Sequence, residues 1–242
     1  MPEQGRVRVL VVASDATHRS LWSKAAKVVA EKVELVDVAD GREALPVLHQ
    51  ADVDVMILED MVSDAPVLAA TARAMKPPPL IAVAQTYTHD HPAHADFRLR
   101  MPTTIDDART QIASCLRARQ AMRVLVVDDS STMRSIVRKV LAASRFPMQI
   151  VEAEDGHSAL AAIDTQKFDV IFLDYNLPGL NGLDTVALIR QKQADSRVVI
   201  ISSTQDPTIA TRAQRAGATD FLKKPFYAAD IDRVIERQIV GD

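Results

Sequence analysis

Five polar residues in the C-terminal half of this 242-residue chain stand where they could do chemistry together: Asp128, Asp129, Asp174, Ser202 and Lys224. Each follows or closes a short apolar run, and in an open α/β sheet reactive groups gather at the carboxyl ends of the strands. Three carboxylates brought together there would repel one another unless a cation sat between them. Magnesium suits such a set, because it takes oxygen ligands octahedrally and keeps some of its waters. A lysine and a hydroxyl beside a metal-bound carboxylate are then placed to stabilise charge on a phosphoryl group. Taken singly, each residue also has an ordinary reading: Asp129 with Ser130 as a helix N-cap, Lys224 as a solvated loop charge, Asn176-Leu-Pro-Gly as a turn, Ser202 as a strand-end hydroxyl.

The elements that must carry these residues show in the hydropathy. Continuous apolar runs occur at 8–12, 53–58, 80–84, 123–127, 169–173 and 197–201. Runs without polar alternation are the mark of parallel strands covered on both faces by helices. Stretches of helical period lie between them, such as 133–144, where Met133, Ile136, Val137, Val140 and Leu141 form one apolar stripe, and a last helix of the first half is expected over 105–119.

The chain also repeats itself. RVLVVASDATHRSL from Arg8 matches RVLVVDDSSTMRSI from Arg123, an offset of 123 − 8 = 115, and DVMILED from Asp54 matches DVIFLDY from Asp169 at the same offset. The expected architecture is two doubly wound α/β domains in tandem, each a five-stranded parallel sheet, over residues 1–120 and 121–242.

Residues 122–242 resemble the CheY-like receiver domain of two-component response regulators, through VVDDSSTMR, FLDYNLPGLNG, IISST and FLKKPF in that family's order and spacing. The resemblance implies a flavodoxin-like fold and a role for each residue. Asp174 is then the phospho-accepting nucleophile, and Asp129 and Asp174 are magnesium ligands together with the backbone carbonyl of Asn176. Asp128 positions the metal through water, Ser202 and Lys224 engage the phosphoryl oxygens, and Phe221 is the aromatic switch. The Lys224–Pro225 peptide resembles the family's cis bond. Ser202 and Phe221 stand where threonine and tyrosine are common. A haloacid-dehalogenase-type phosphatase also starts from a strand-end aspartate, but it needs an acid two residues on, where this chain has Asn176.

The first copy keeps the scaffold without these groups. At the offset of 115, Ala13 and Ser14 replace Asp128 and Asp129, and Glu59 replaces Asp174. Met101 falls at the lysine position, and the sequence places Ala84 at the position of Ser202. Phosphoryl acceptance at Glu59 is therefore not expected, nor is a reading of Glu59 as a phospho-aspartate mimic. The first copy reads as a degenerate receiver, a pseudo-receiver. His89, His91 and His94 lie in a polar segment and are read as solvated rather than metal-binding; Trp22 and Cys115 are read as helix packing and Asp15 as a cap.

Composition narrows the setting. The charge balance is 29 basic against 32 acidic residues, divided as 14 against 16 and 15 against 16 about residue 121, so neither half has the basic excess that a nucleic-acid surface requires. A single cysteine makes no internal disulfide, and no apolar run has the ~20 residues of a membrane span, so a cytoplasmic location is expected. Only 242 − 225 = 17 residues follow Pro225, enough for one helix, so no DNA-binding or enzymatic output domain is expected and any catalysis is limited to intrinsic autophosphatase activity. The implied partners are a histidine kinase or phosphotransfer protein, a downstream protein and, through the first copy, a second copy of the chain as a homodimer. The alternatives are a scaffold or dimerisation adaptor, or a phosphate sink.

Overall fold

In this computed structural model the described residues are 6–85 and 94–240. They form two compact units, Met1–Arg119 and Gln120–Asp242. The first runs β1 (Val7–Val12), α1 (Ala16–Ala26), β2 (Val33–Val38), α2 (Gly41–Gln50), β3 (Val55–Glu59), α3 (Ala65–Arg73), β4 (Leu80–Gln85), β5 (Phe97–Arg100) and α4 (Ile105–Arg119). The second runs β6 (Met122–Val127), α5 (Ser131–Ala142), β7 (Met148–Ala153), α6 (Gly156–Thr165), β8 (Val170–Asp174), α7 (Gly182–Lys192), β9 (Arg197–Ser202), α8 (Thr208–Ala216), β10 (Asp220–Lys223) and α9 (Ala228–Val240).

Both sheets are parallel throughout, in the orders β2-β1-β3-β4-β5 and β7-β6-β8-β9-β10. Each is a doubly wound α/β sheet whose order reverses beside its first strand, between β1 and β3 or between β6 and β8, and that reversal opens a crevice at the carboxyl ends. Leu10 and Val12 of β1, with Met56 and Leu58 of β3, pack against Leu48 of α2 and Leu68 of α3. In the second unit Leu125, Val127, Ile171 and Leu173 pack likewise against Ile163 of α6 and Val186 of α7. Alternate strand residues point to the opposite face, where α1 and α4 bury Trp22 and Cys115. α5 presents a narrower apolar stripe than its sequence suggests: Val137 and Leu141 are buried, but Ile136 is 47% exposed.

The repeat extends to single hydrogen bonds. Asp54 accepts from the Arg8 amide at 2.8 Å, and Asp169, 115 positions later, accepts from the Arg123 amide at 2.8 Å. Asp15 caps α1 by accepting from Thr17 N, while Ser130 caps α5 by accepting from Met133 N. Asp40 and Asp155, again 115 apart, cap α2 and α6. No helix among the described residues is long and apolar enough to cross a membrane.

Candidate functional site

The β6–α5 turn, the end of β8, the end of β9 and the residue after β10 converge in the second unit. Asp128, Asp129 and Asp174 each offer a carboxylate oxygen within 4.8 Å of the others. Asp128 and Asp174 are buried, whereas Asp129 is open to solvent. The Ser130 amide donates to Asp128 Oδ1 at 3.0 Å and holds that side chain in the turn. Lys224 reaches across from the end of β10, its Nζ donating to Asp128 Oδ2 at 2.9 Å and to Asp174 Oδ1 at 3.2 Å. The lysine's own amide donates to the carbonyl of Ser202 at 2.8 Å, so strand pairing itself sets the lysine beside the hydroxyl. Ser202 is fully buried, and its Oγ accepts from Thr204 N. The Lys224–Pro225 bond is cis.

Asp174 sits at the end of a wholly buried strand, and the β8–α7 loop must fold back closely over it. Gly182, the first residue of α7, makes that possible: a Cβ there would lie 2.6 Å from the carbonyl oxygen of Asp174 and 2.9 Å from Tyr175 Cα. Asn176 is exposed in this loop and borders a cleft with Tyr175, Pro178, Asn181 and Arg212. Phe221, on β10, is partly buried and packs against the core of the second unit.

The electrostatics show a cluster short of positive charge. Burial raises the Asp174 carboxyl above its usual range; Lys224 opposes this and Asp128 adds to it. Burial alone would lower the Lys224 ammonium, but its hydrogen bond to Asp128 and the charges of Asp174 and Asp128 outweigh burial and raise it. One ammonium against three carboxylates leaves a net charge of 1 − 3 = −2. An all-oxygen donor set carrying that charge fits a hard divalent cation.

The corresponding place in the first unit is built differently. Glu59, at the end of β3, is buried, and its carboxylate lies 3.1–3.2 Å from Nδ1 of His18 on α1. The Trp22 indole N–H is near enough to favour the charged form without completing a hydrogen bond. Burial nevertheless carries the Glu59 carboxyl above its ordinary value, against the pull of His18 and Trp22. His18 and Trp22 hold the positions of Met133 and Val137 in the second unit, and the sequence alone gave no sign that they meet Glu59.

Strand register corrects one expectation. Glu59 pairs with Ala84 and Asp174 pairs with Ile201, so the equivalent of Ser202 is Gln85, not Ala84. The bonds from Met101 N to the Gln85 carbonyl and from Lys224 N to the Ser202 carbonyl agree. An amide rather than a methyl group therefore stands at the hydroxyl position, and the span to the proline is 102 − 85 = 17 against 225 − 202 = 23. Arg98 takes the place of Phe221, since Leu99 pairs with Ala84 as Leu222 pairs with Ile201. His89 and His91 lie outside the described residues, and His94 contributes its carbonyl to Arg73.

Residues 124–236 match the family model described as the response regulator receiver domain. The chain is 34% identical over 115 residues to a chemotaxis protein CheY of Listeria monocytogenes, an alignment covering 48% of this chain and 93% of that protein. The chain belongs to the response regulator receiver family. It is likewise 34% identical over 121 residues to a CheY of Pseudomonas aeruginosa, covering 48% of this chain and 94% of the relative. A solved structure of a probable two-component system response regulator/GGDEF domain protein matches 96% of this chain and 97% of its own, with a TM-score of 0.57 at 19% identity, a likeness of fold in both units. Receiver domains take magnesium for phosphorylation and interact with histidine kinases or phosphotransfer proteins.

Proposed function

We propose that the second unit is a phosphorylation-operated switch that accepts a phosphoryl group on Asp174 from a histidine kinase or phosphotransfer protein. The observation that carries this reading is the meeting of Asp128, Asp129 and Asp174 within 4.8 Å under the ammonium of Lys224. An Asp174 oxygen forms the new bond to phosphorus as the bond from phosphorus to the donor's imidazole nitrogen breaks, and the imidazole leaves with its electron pair. Asp128, Asp129, Asp174 and the Asn176 carbonyl would hold magnesium, which when bound supplies positive charge to the phosphoryl oxygens. Lys224 turns its ammonium from the carboxylates toward the phosphoryl group, and the Ser202 hydroxyl donates to it. Phe221, one strand over, follows Ser202 and passes the change to the surface around α8, β10 and α9.

The first unit is proposed to be a degenerate receiver acting through a surface, with a homodimer as its simplest form. Ala13, Ser14 and Met101 supply neither metal ligands nor an ammonium, and the Glu59 carboxylate is engaged by His18. A scaffold in which phosphorylation is secondary rests on the same observation. The protein is read as cytoplasmic, acting without nucleic acid or membrane.

The test is labelling of the full chain by acetyl phosphate with magnesium. One phosphoryl group on Asp174, labile to alkali and to hydroxylamine, is expected, and it is absent from Asp174→Asn. Label surviving in that variant, or found on Glu59, overturns the assignment.

A further inference from the structure

Asp128 is held by its backbone at both ends. Its amide donates to the Ala153 carbonyl at 3.3 Å, and its own carbonyl accepts from Arg134 Nη1 at 2.8 Å. Arg134, on α5, is in turn fixed by Glu152 of β7, with Nε to Oε2 at 3.1 Å, and its side chain is only 15% exposed. The guanidinium therefore braces the β6–α5 turn against the neighbouring strand.

The first unit carries the same brace at the same offset. Arg19 Nη1 donates to the carbonyls of Ala13 and Ser14 at 2.7 and 2.9 Å, and its Nε lies 3.7 Å from Asp37 on β2. Ala13, Arg19 and Asp37 precede Asp128, Arg134 and Glu152 by 115 residues each. The brace is thus present over a turn with no carboxylate at positions 13 and 14, where it can serve only the fold. Comparing the two units separates what the arginine does for the turn from what it does for the acids.

In the second unit the acids depend on that turn. Among the described residues no hydrogen bond holds the Asp129 carboxylate, so the backbone sets its direction. The carbonyl that Arg134 grips belongs to the peptide joining Asp128 to Asp129. Rotation of that peptide plane swings Asp129 away from Asp128 and Asp174. We infer that Arg134 is a positioning residue for the divalent cation, acting through the 128–129 peptide and anchored by Glu152. The inference rests on the reading that Asp128 and Asp129 face that cation. Groups of this kind, one bond removed from the ligands, typically alter metal affinity by about 10- to 100-fold.

The experiment is a calorimetric titration of the full-length protein with magnesium alone, beside thermal unfolding in chelator. Arg134→Met keeps the apolar stem and removes the guanidinium, and Arg19→Met does the same in the first unit. Arg134→Met is expected to weaken magnesium binding by about tenfold or more. Arg19→Met should lose similar thermal stability while binding magnesium within about twofold of wild type, since the two braces share a structural part and differ in what the turn carries. Affinity unchanged in Arg134→Met, or weakened equally in Arg19→Met, overturns the inference. Should Arg134→Met fail to fold, Glu152→Gln decides: it frees the guanidinium from its anchor and is expected to weaken magnesium binding, and unchanged affinity overturns the inference. Asp129→Ala separates the two levels: if it keeps full magnesium affinity, the reading of the cation site itself is wrong, whereas its loss beside an unaffected Arg134→Met refutes the brace alone.

Discussion

Replacing Lys224 by methionine removes a cation from between two buried carboxylates and leaves an unbranched apolar chain of similar length. Its Nζ lies 2.9 Å from Asp128 and 3.2 Å from Asp174, with a side chain 14% exposed. Breaking a buried pair by deleting one partner costs about 3–5 kcal/mol, because the surviving charge keeps its burial and loses its counterion. Protonation sets a ceiling: when neutralising one aspartate becomes cheaper, Asp174 takes up a proton, and from an ordinary value near 3.9 that costs about 1.36 × (7 − 3.9) ≈ 4 kcal/mol at pH 7. A loss of about 3 kcal/mol in metal-free protein at pH 7 is therefore expected. The sign with pH follows. Asp174 is already raised by burial and by Asp128, and without Lys224 it rises further. A carboxyl raised in the folded state contributes stability below its unfolded value and loses it as pH climbs through the folded one, so the deficit is smallest in acid, grows as pH rises through the folded value and levels off above it. Magnesium should reverse the order, because in the wild type it must displace the ammonium; roughly tenfold tighter binding to Lys224→Met corresponds to about 1.4 kcal/mol. Scanning calorimetry in chelator from pH 5 to 8, followed by magnesium titration, measures both. A pH-independent change below about 1 kcal/mol with unaltered magnesium affinity would refute the reasoning and make Lys224 a solvated loop charge.

Gly182→Ala drives a methyl group to 2.6 Å from the Asp174 carbonyl, where the obstacle is backbone, so a loss of about 1–3 kcal/mol by urea unfolding and slower labelling by acetyl phosphate are expected. Wild-type stability and labelling in that variant would show that the loop moves aside freely. In the first unit Trp22, the chain's single tryptophan, reports on Glu59. Its emission should show a step above the ordinary carboxylate range that disappears in Glu59→Gln, and the stability contributed by the protonated Glu59 should fade as pH rises through that step. Emission with no such step would place the Glu59 carboxyl in its usual range. Asp129→Ala should abolish magnesium binding at a single site per chain; two equivalent sites in the wild type would mean that the first unit also binds the cation.

The legibility of this chain in its sequence follows strand position. β1, β3, β4, β6, β8 and β9 each lie between two neighbours and read as unbroken apolar runs. The edge strands do not: β2 and β7 carry Glu34, Asp37, Gln149 and Glu152, while β5 and β10 are only four residues long. Exposure of one side of an edge strand admits polar residues, so the pattern that marks a core strand fades there. The same limit explains the slip at Gln85. The run 80–84 ends one residue short of the strand, and only pairing with β5, where Gln85 meets Arg100, shows that Gln85 is its last residue. The acids, hydroxyl and lysine of the second unit were legible because each stands at a strand end with its neighbours in order. His18 and Trp22 were not, since a helix of ordinary composition gives no hint that two of its residues turn toward a carboxylate on another strand. Arg134 and Glu152 could have been found from the offset of 115, which already pairs them with Arg19 and Asp37.

The way His18 and Trp22 close on Glu59 makes the difference between the two units more than a matter of missing carboxylates. Writing aspartates at positions 13, 14 and 59 would supply the charges and leave an imidazole and an indole where the second unit has a thioether and an isopropyl group. The new acids would meet a histidine whose Nδ1 already lies 3.1–3.2 Å from the carboxylate at position 59, beside the buried indole of Trp22. A phosphate-accepting site in the first unit would therefore need changes in α1 as well as at the strand ends. The two units thus differ at several positions at once, on α1 and at the strand ends, and no single substitution turns the arrangement of one into that of the other.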